Sequence, residues 1–257
     1  APEAAIPAPG GGKTTCSWKS ADDFRPATIA ACIPGAVGSE LDRIVQAPSF
    51  QRVESAWRGV RFLLDQGGDG AEVEVIAVPR TGIADALREQ VLDPVRRDER
   101  KAPQLLILDF DFGHQAADLA LLGEVADIAA DLNAPAVAHA SPSIFGLRHF
   151  AHLAAFPDPL GAIKGPSHAP WREFQASEAA RWICLTLGRY LQRAPHHVET
   201  LPYVETVAEA KPDSFLWGRG VWVVGAAAVR SFRTHGHALD LSGHGGMFTE
   251  MQSASAG

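Results

Sequence analysis

The chain has 257 residues, a hydrophobic fraction of 46%, a charged fraction of 21% and a formal net charge of −7. These values exclude a disordered or collagen-like chain, and the acidic balance argues against a nonspecific nucleic-acid binder, which needs a basic surface. The longest apolar run, residues 221–229, has nine residues, against the roughly 20 needed to cross a bilayer, so no membrane span is expected.

Residues 1–17 are rich in Ala, Pro and Gly and read as a flexible tail. They lack the basic start and apolar centre of a secretory leader. Residues 18–46 read as a short helical unit broken at Pro34. Residues 48–67 read as one long helix. Its Phe50, Val53, Trp57, Val60 and Leu64 fall at alternating spacings of three and four, a single apolar stripe expected to face the core. Pro48 suits its first turn and Gly67 its stop.

Residues 72–78 are β-branched and alternate, which predicts a strand ended by Pro79. Residues 81–101 read as a polar helix whose charged end, 96–101, is solvated. Residues 104–112 are apolar almost throughout, as in a strand covered on both faces of a parallel sheet. A helix over 115–132, a turn at Asn133 and a strand over 136–140 complete a βαβ unit with a right-handed crossover. Two further helices are predicted, 177–192 capped by Ser177 and 214–234 with Gly218 and Gly225 seven apart. The segment 193–213 reads as loop, and 247–257 as a flexible tail. The fold class is therefore α/β, a mostly parallel sheet flanked by helices, in a single domain spanning 18–246.

Little of this carries chemistry. Cys16, Cys32 and Cys184 show no C-x-x-C spacing, so reduced, buried thiols in a cytoplasmic protein are expected rather than disulfides or structural zinc. Asp109, Asp111 and His114 end the central strand, where α/β sheets bind ligands, and two same-side carboxylates could hold Mg²⁺ in a metal-dependent hydrolase. The plainer reading is that the two aspartates satisfy loop amides and cap the next helix. His235, His237 and His244 are spaced loosely in a glycine-rich segment, with no H-E-x-x-H. There is no phosphate-binding glycine loop, and Ser141-Pro-Ser143 is not a nucleophile elbow. Most of the six tryptophans read as core or interface anchors.

Five stretches, in order, resemble one family. They are FQRVESAWRGVRFLL, with Glu54, Trp57, Arg58 and Gly59 at its centre; LLILDFDFGHQAADLALLGEVADIAADLNAPAVAHASP, with Asp109 and Asp111; WREFQASEAARWICLTLGRYLQRAPH, with Trp171, Arg181 and Arg189; FLWGRGVWVVGAAAVRSF, with Trp217 and Gly218; and THGHALDLSGHGG. Together they resemble the large subunit of the type VI secretion contractile sheath, the TssC, VipB or ImpC family. SADDFRPATIAACIPGA, within 18–46, resembles the small sheath subunit instead. Gly188 stands where the large-subunit pattern has proline, and Ser242 where it has arginine. The chain ends soon after Gly246, and the combination reads as a merger of the two subunit types, a shortened member or a piece of a longer chain.

The resemblance implies a cytoplasmic structural protein, not an enzyme, with no cofactor and no metal. It implies association with a small sheath subunit of the TssB or VipA kind and with other copies of itself, and contact with an inner-tube ring protein. The motif residues are then structural. Trp57 is expected to fill the core, Gly59 to allow close helix packing, and Arg58 to pair with a carboxylate, Glu54 being one candidate.

Overall fold

The computed structural model describes residues 4–7, 13–16, 35–67, 72–153, 155–196, 203–206 and 215–236. These fall in two compact units, one bounded by Ala1–Trp57 with Leu191–Trp217, the other by Arg58–Tyr190 with Gly218–Gly257. Most of the stretch resembling a small sheath subunit, and His197, His237 and His244, lie outside the described residues.

In the first unit, β1 (Ala4–Pro7) pairs antiparallel with β2 (Lys13–Cys16). α1 (Gly35–Val45) begins directly after Pro34, and the short helix predicted to end at that proline lies outside the described residues. It hands over within two residues to α2 (Pro48–Gly67), whose bounds match the prediction from Pro48 and Gly67. Tyr203 Oη donates to Asp42 Oδ1 at 2.5 Å, and the same oxygen accepts Thr206 N–H at 3.0 Å, which ties the returning segment to α1.

The second unit is built on a parallel sheet ordered β3 (Leu106–Phe112), β4 (Ala136–Ala140), β5 (Ile183–Thr186). Before it, residues 72–79 run without joining any described ladder, unlike the strand predicted there. A helical run follows from Arg80 to Arg96 in 3-10, α, π and α segments. The π turn, Arg88–Leu92, lies just before Pro94, whose missing N–H cannot support regular pairing. β3 is Leu106–Phe112 and β4 is Ala136–Ala140. Every β4 position is buried, as a central strand covered on both faces requires.

Between them α3 (Ala116–Leu132) buries Leu119, Leu122, Val125, Ile128 and Leu132, the apolar positions read from sequence. It ends on Asn133 at φ 52°, whose N–H bonds the Ala130 carbonyl while Ala134 N–H bonds Ala129. α4 (Ala169–Ala176) then packs against α3, with Trp171 buried.

The predicted helix over 177–192 is absent. Ser177 Oγ accepts Ala180 N–H at 3.3 Å, but only a 3-10 turn (Ala179–Trp182) follows, with Glu178 at its cap position. The chain then forms β5 (Ile183–Thr186) and, past Gly188 at φ +84°, β6 (Arg189–Arg193). Pairing with β4 overrides the local helical pattern, and Gly188 supplies a left-handed turn that a helix cannot contain. The helix predicted from Ser214 begins later. Residues Leu216–Arg219 form β7, paired with β6, and only then does α5 (Val221–His235) start. Gly218 and Gly225 therefore sit in different elements. Cys184 is exposed on β5, contrary to the buried thiol expected.

Candidate assembly surface and buried arginine clamps

α2 turns its predicted stripe outward. Trp57 is 62% exposed and Val53 59%, and Phe50 and Leu64 are also exposed, while Val60 alone of the five is buried. Trp57 thus does not fill the core. The buried arc is the opposite one, with Ser55, Gly59 and Leu63. Small residues there carry the packing. A Cβ on Gly59 would lie 2.3 Å from the Trp222 indole, so the helix approaches α5 at that point because residue 59 has no side chain. Four large apolar side chains at a/d spacing on the outside form a narrow seam of the kind that pairs with another helix.

In the first unit Glu54, next to Val53, is held inward. Arg193 Nε bonds its Oε1 at 2.7 Å, and Arg193 Nη1 bonds Glu205 Oε2 at 2.6 Å. Glu205 also accepts His196 N–H at 3.0 Å. Burial opposes the Arg193 charge, but the hydrogen bonds and charges of Glu54 and Glu205 outweigh it and raise its pKa. Gln192 Nε2 donates to the Ser55 carbonyl and Ser55 Oγ to the Trp217 carbonyl, so Trp217 contributes its backbone; its ring lies 6.3 Å from Phe215. Arg58 is half-buried on α2.

In the second unit Asp109 and Asp111 do share one side of β3, as predicted, but they meet an arginine. Arg219, two residues before α5, forks onto Asp111 at 2.9 and 3.0 Å and reaches Asp109 at 3.1 Å. Burial would raise the Asp111 pKa; the Arg219 hydrogen bond and charge, with Arg189 and His139, lower it below the ordinary value. Burial likewise opposes the Arg219 charge, and Asp111 and Asp109 more than restore it. Arg219 thus supplies the cation for both carboxylates, taking both oxygens of Asp111 and one of Asp109, and the three side chains form a structural clamp between β3 and the start of α5. Sequence reading missed Arg219. The available signal was two same-face carboxylates in an apolar strand, which demand a buried cation.

His139, fully buried on β4, stands beside the clamp. Thr186 Oγ1 donates to the Ala138 carbonyl, so it must accept from His139 Nδ1–H, at 3.0 Å; this leaves Nε2 as a bare acceptor. Burial first, then the Arg189 and Arg219 charges, push its pKa down to about 4 against the pull of Asp111. The Arg189 guanidinium lies 6.0 Å from the Phe150 ring centre. On the far side, Arg80 bonds Asp118 at 2.6 Å, also donates to the Asp111 carbonyl, and stacks on Phe112 at 4.6 Å.

The other named residues lie elsewhere. His114 stacks on His168 at 4.2 Å, apart from the aspartates' arginine, and burial with the His168 charge lowers its pKa. Trp171 is core, 6.0 Å from the Phe174 ring. Arg181 is exposed, bonded to Glu178 at 3.0 Å and over Trp182 at 5.8 Å. Gly218 is buried in β7. His235 is exposed at the end of α5. Among the described residues no cluster of three or more His, Cys, Asp or Glu could hold a metal, and no helix is long and apolar enough to cross a membrane.

Residues 102–256 match the VipB family, described as EvpB/VC_A0108, tail sheath N-terminal domain. The chain belongs to this family. The type VI secretion system sheath protein TssC1 of Pseudomonas aeruginosa is 25% identical to it over 230 residues, covering 81% of this chain and 46% of the relative. The chain thus spans about half the length of the curated relative it matches. The family match takes in β3 through α5, and so the Asp109–Asp111–Arg219 clamp; the α2 seam precedes it. The α/β fold with a parallel sheet agrees with membership of a tail sheath family.

Proposed function

We propose that this chain is a structural component of a type VI secretion sheath or sheath-like assembly and works by subunit association in the cytoplasm, without catalysis. One observation carries the reading: a member of a tail sheath family leaves Phe50, Val53, Trp57 and Leu64 exposed along one side of α2. A stripe of that kind on a surface helix is normally covered by another protein, and a tryptophan at its centre is the commonest anchor of such contacts. The partners this reading supports are a small sheath subunit and further copies of this chain, with an inner-tube ring protein as a more distant contact. The motif residues then divide by role: Trp57 makes contact, Gly59 and Gly218 pack, and Glu54, Asp109 and Asp111 are held by arginines.

The test is co-expression with a small sheath subunit from the same genome, followed by size exclusion with light scattering and negative-stain microscopy. A heterocomplex, rings or tubes are expected, with association weakened by Trp57→Ala or Val53→Glu while the melting temperature stays within a degree or two of wild type. A chain that stays monomeric with the partner present would overturn the proposal, as would variants that unfold but associate normally when folded.

A further inference from the structure

β3, β4 and β5 run parallel and so end on one edge of their sheet, the edge where parallel sheets hold ligands. Arg189 stands there, three residues past Thr186 at the end of β5. Arg80, Arg193 and Arg219, equally half-buried, each hold a carboxylate. Arg189 holds none. Among the described residues no acceptor bonds any of its nitrogens, and its Nε is shut off from solvent as well, though neither Nη is. A cation with unmet donors at such a place is costly until an acceptor reaches it.

The fold around Arg189 does not supply that acceptor. Asp111 feels its charge, but Arg219 takes both Asp111 oxygens. His139 Nε2 is a bare acceptor in a ring 5.4 Å from Phe150, over which the Arg189 guanidinium lies at 6.0 Å. One imidazole nitrogen can meet one donor of the five in a guanidinium, which leaves the Nη end open.

The approach to that end is basic. From Ser141 to Pro157 the loop beyond β4 carries Arg148, His149 and His152 and no Asp or Glu, in a chain whose net charge is −7. All three are exposed, and among the described residues no carboxylate pairs with Arg148. Phe150, the residue under Arg189, lies among them in the same loop. Leu187, two residues before Arg189, is 52% exposed.

We propose that this edge receives an acidic stretch of a partner protein, with one carboxylate meeting both Nη groups of Arg189 end-on, a second acid paired with Arg148, and Leu187 packed against the partner's chain. The planar fork of a guanidinium matches a carboxylate, and the paired N–H groups fix its orientation. The site is an open surface, where water and salt compete with a free anion. An acid carried on a chain adds the apolar contact at Leu187 and the second charge at Arg148. That the chain belongs to a neighbouring sheath subunit rests on the association proposed above. The carboxylate site does not, and its test needs no sheath partner, so either proposal can fail alone.

The probe is a blocked peptide of three consecutive glutamates between glycines, added at millimolar concentration and fixed ionic strength to the full chain labelled with ¹⁵N-arginine. The Arg189 Nε–H resonance, identified by its loss in Arg189→Lys, is expected to shift and saturate, while those of Arg193 and Arg219, whose carboxylates are internal, stay in place. Arg189→Lys keeps the charge beside Asp111 but loses the fork. Followed by the backbone amides of 187–190, it should bind the peptide at least about tenfold more weakly, with a melting temperature within about two degrees of wild type. Arg148→Glu should weaken binding several-fold. An equal shift with the glutamine peptide, an equal shift with acetate at the same carboxylate concentration, or no saturable shift at all would each overturn the proposal, the acetate result because the site would then be one for free anions.

Discussion

Gly59→Ala sets two effects against each other at one atom. In a helix interior alanine is favoured over glycine by about 1 kcal/mol. The new Cβ, however, would stand 2.3 and 2.4 Å from three atoms of the Trp222 indole, where carbon contacts settle at ~3.5–4.0 Å. The ring must retreat by more than about 1 Å. It is 7% exposed and packed among Val60, Val221 and Ala226, so it has no free direction. Forced insertion of a methyl into a filled core costs about 1–3 kcal/mol, and more when an entire ring must move. The packing term wins, and a net loss of ~1–2 kcal/mol is expected. At ~2–4 °C per kcal/mol for a chain of this size, the melting temperature falls by about 2–8 °C. Gly123→Ala in α3 is the control, because its Cβ meets nothing within 4 Å and only the propensity gain remains. Calorimetry on both variants should show Gly59→Ala below wild type and Gly123→Ala at or above it. If Gly59→Ala melted as high as Gly123→Ala, the close approach of α2 and α5 would not be what fixes glycine at 59.

Three further outcomes follow from the buried charges. Arg219→Met leaves the half-buried Asp109 and Asp111 without their cation and should cost up to about 3 kcal/mol at neutral pH by urea denaturation, the low end of the range for fully buried pairs because Asp111 is partly solvated. In the wild type the lowered Asp111 pKa gives stability that is present above the ordinary carboxylate value and lost as pH falls below it; in the variant acidification relieves the repulsion, so its deficit should shrink towards pH 4. His139, neutral down to about pH 4, contributes stability present above pH ~6.5 and lost progressively down to pH ~4, up to about 3 kcal/mol; His139→Asn, which can still donate to Thr186, should flatten that part of the stability–pH curve. Arg193→Met strands Glu54 and Glu205 and should likewise cost about 3–5 kcal/mol, measured by urea unfolding followed through tryptophan fluorescence.

The βαβ unit was legible because each of its signals was local and redundant. The run 104–112 is apolar on both faces, α3 repeats its apolar positions over four turns, and Asn133 takes the left-handed turn between helix and strand. The segment 177–192 was not, because its apolar residues suit a helix as well as a strand, and pairing with β4 decided between them. Asp109 and Asp111 were found at the right edge of the right strand, yet their role rested on Arg219, 108 residues further along from Asp111. No spacing rule spans that distance.

The misreading of α2 has a more specific cause. Spacings of three and four identify which side chains share a line on a helix, but they say nothing about which neighbour covers that line. Two such lines existed on α2: the apolar one and a small-residue one through Ser55 and Gly59. A stripe of large apolar residues wins the inside of a helix only if nothing better packs there. Here Gly59 lets the Trp222 ring lie against the α2 backbone, a closer contact than leucine or valine at that position would permit. The interior took the small line, and the large line was left to face outward. The proposed association gives that outcome a physical sense: the residues that a lone chain would bury are kept at the surface, where burial would stabilise an assembly instead of a monomer.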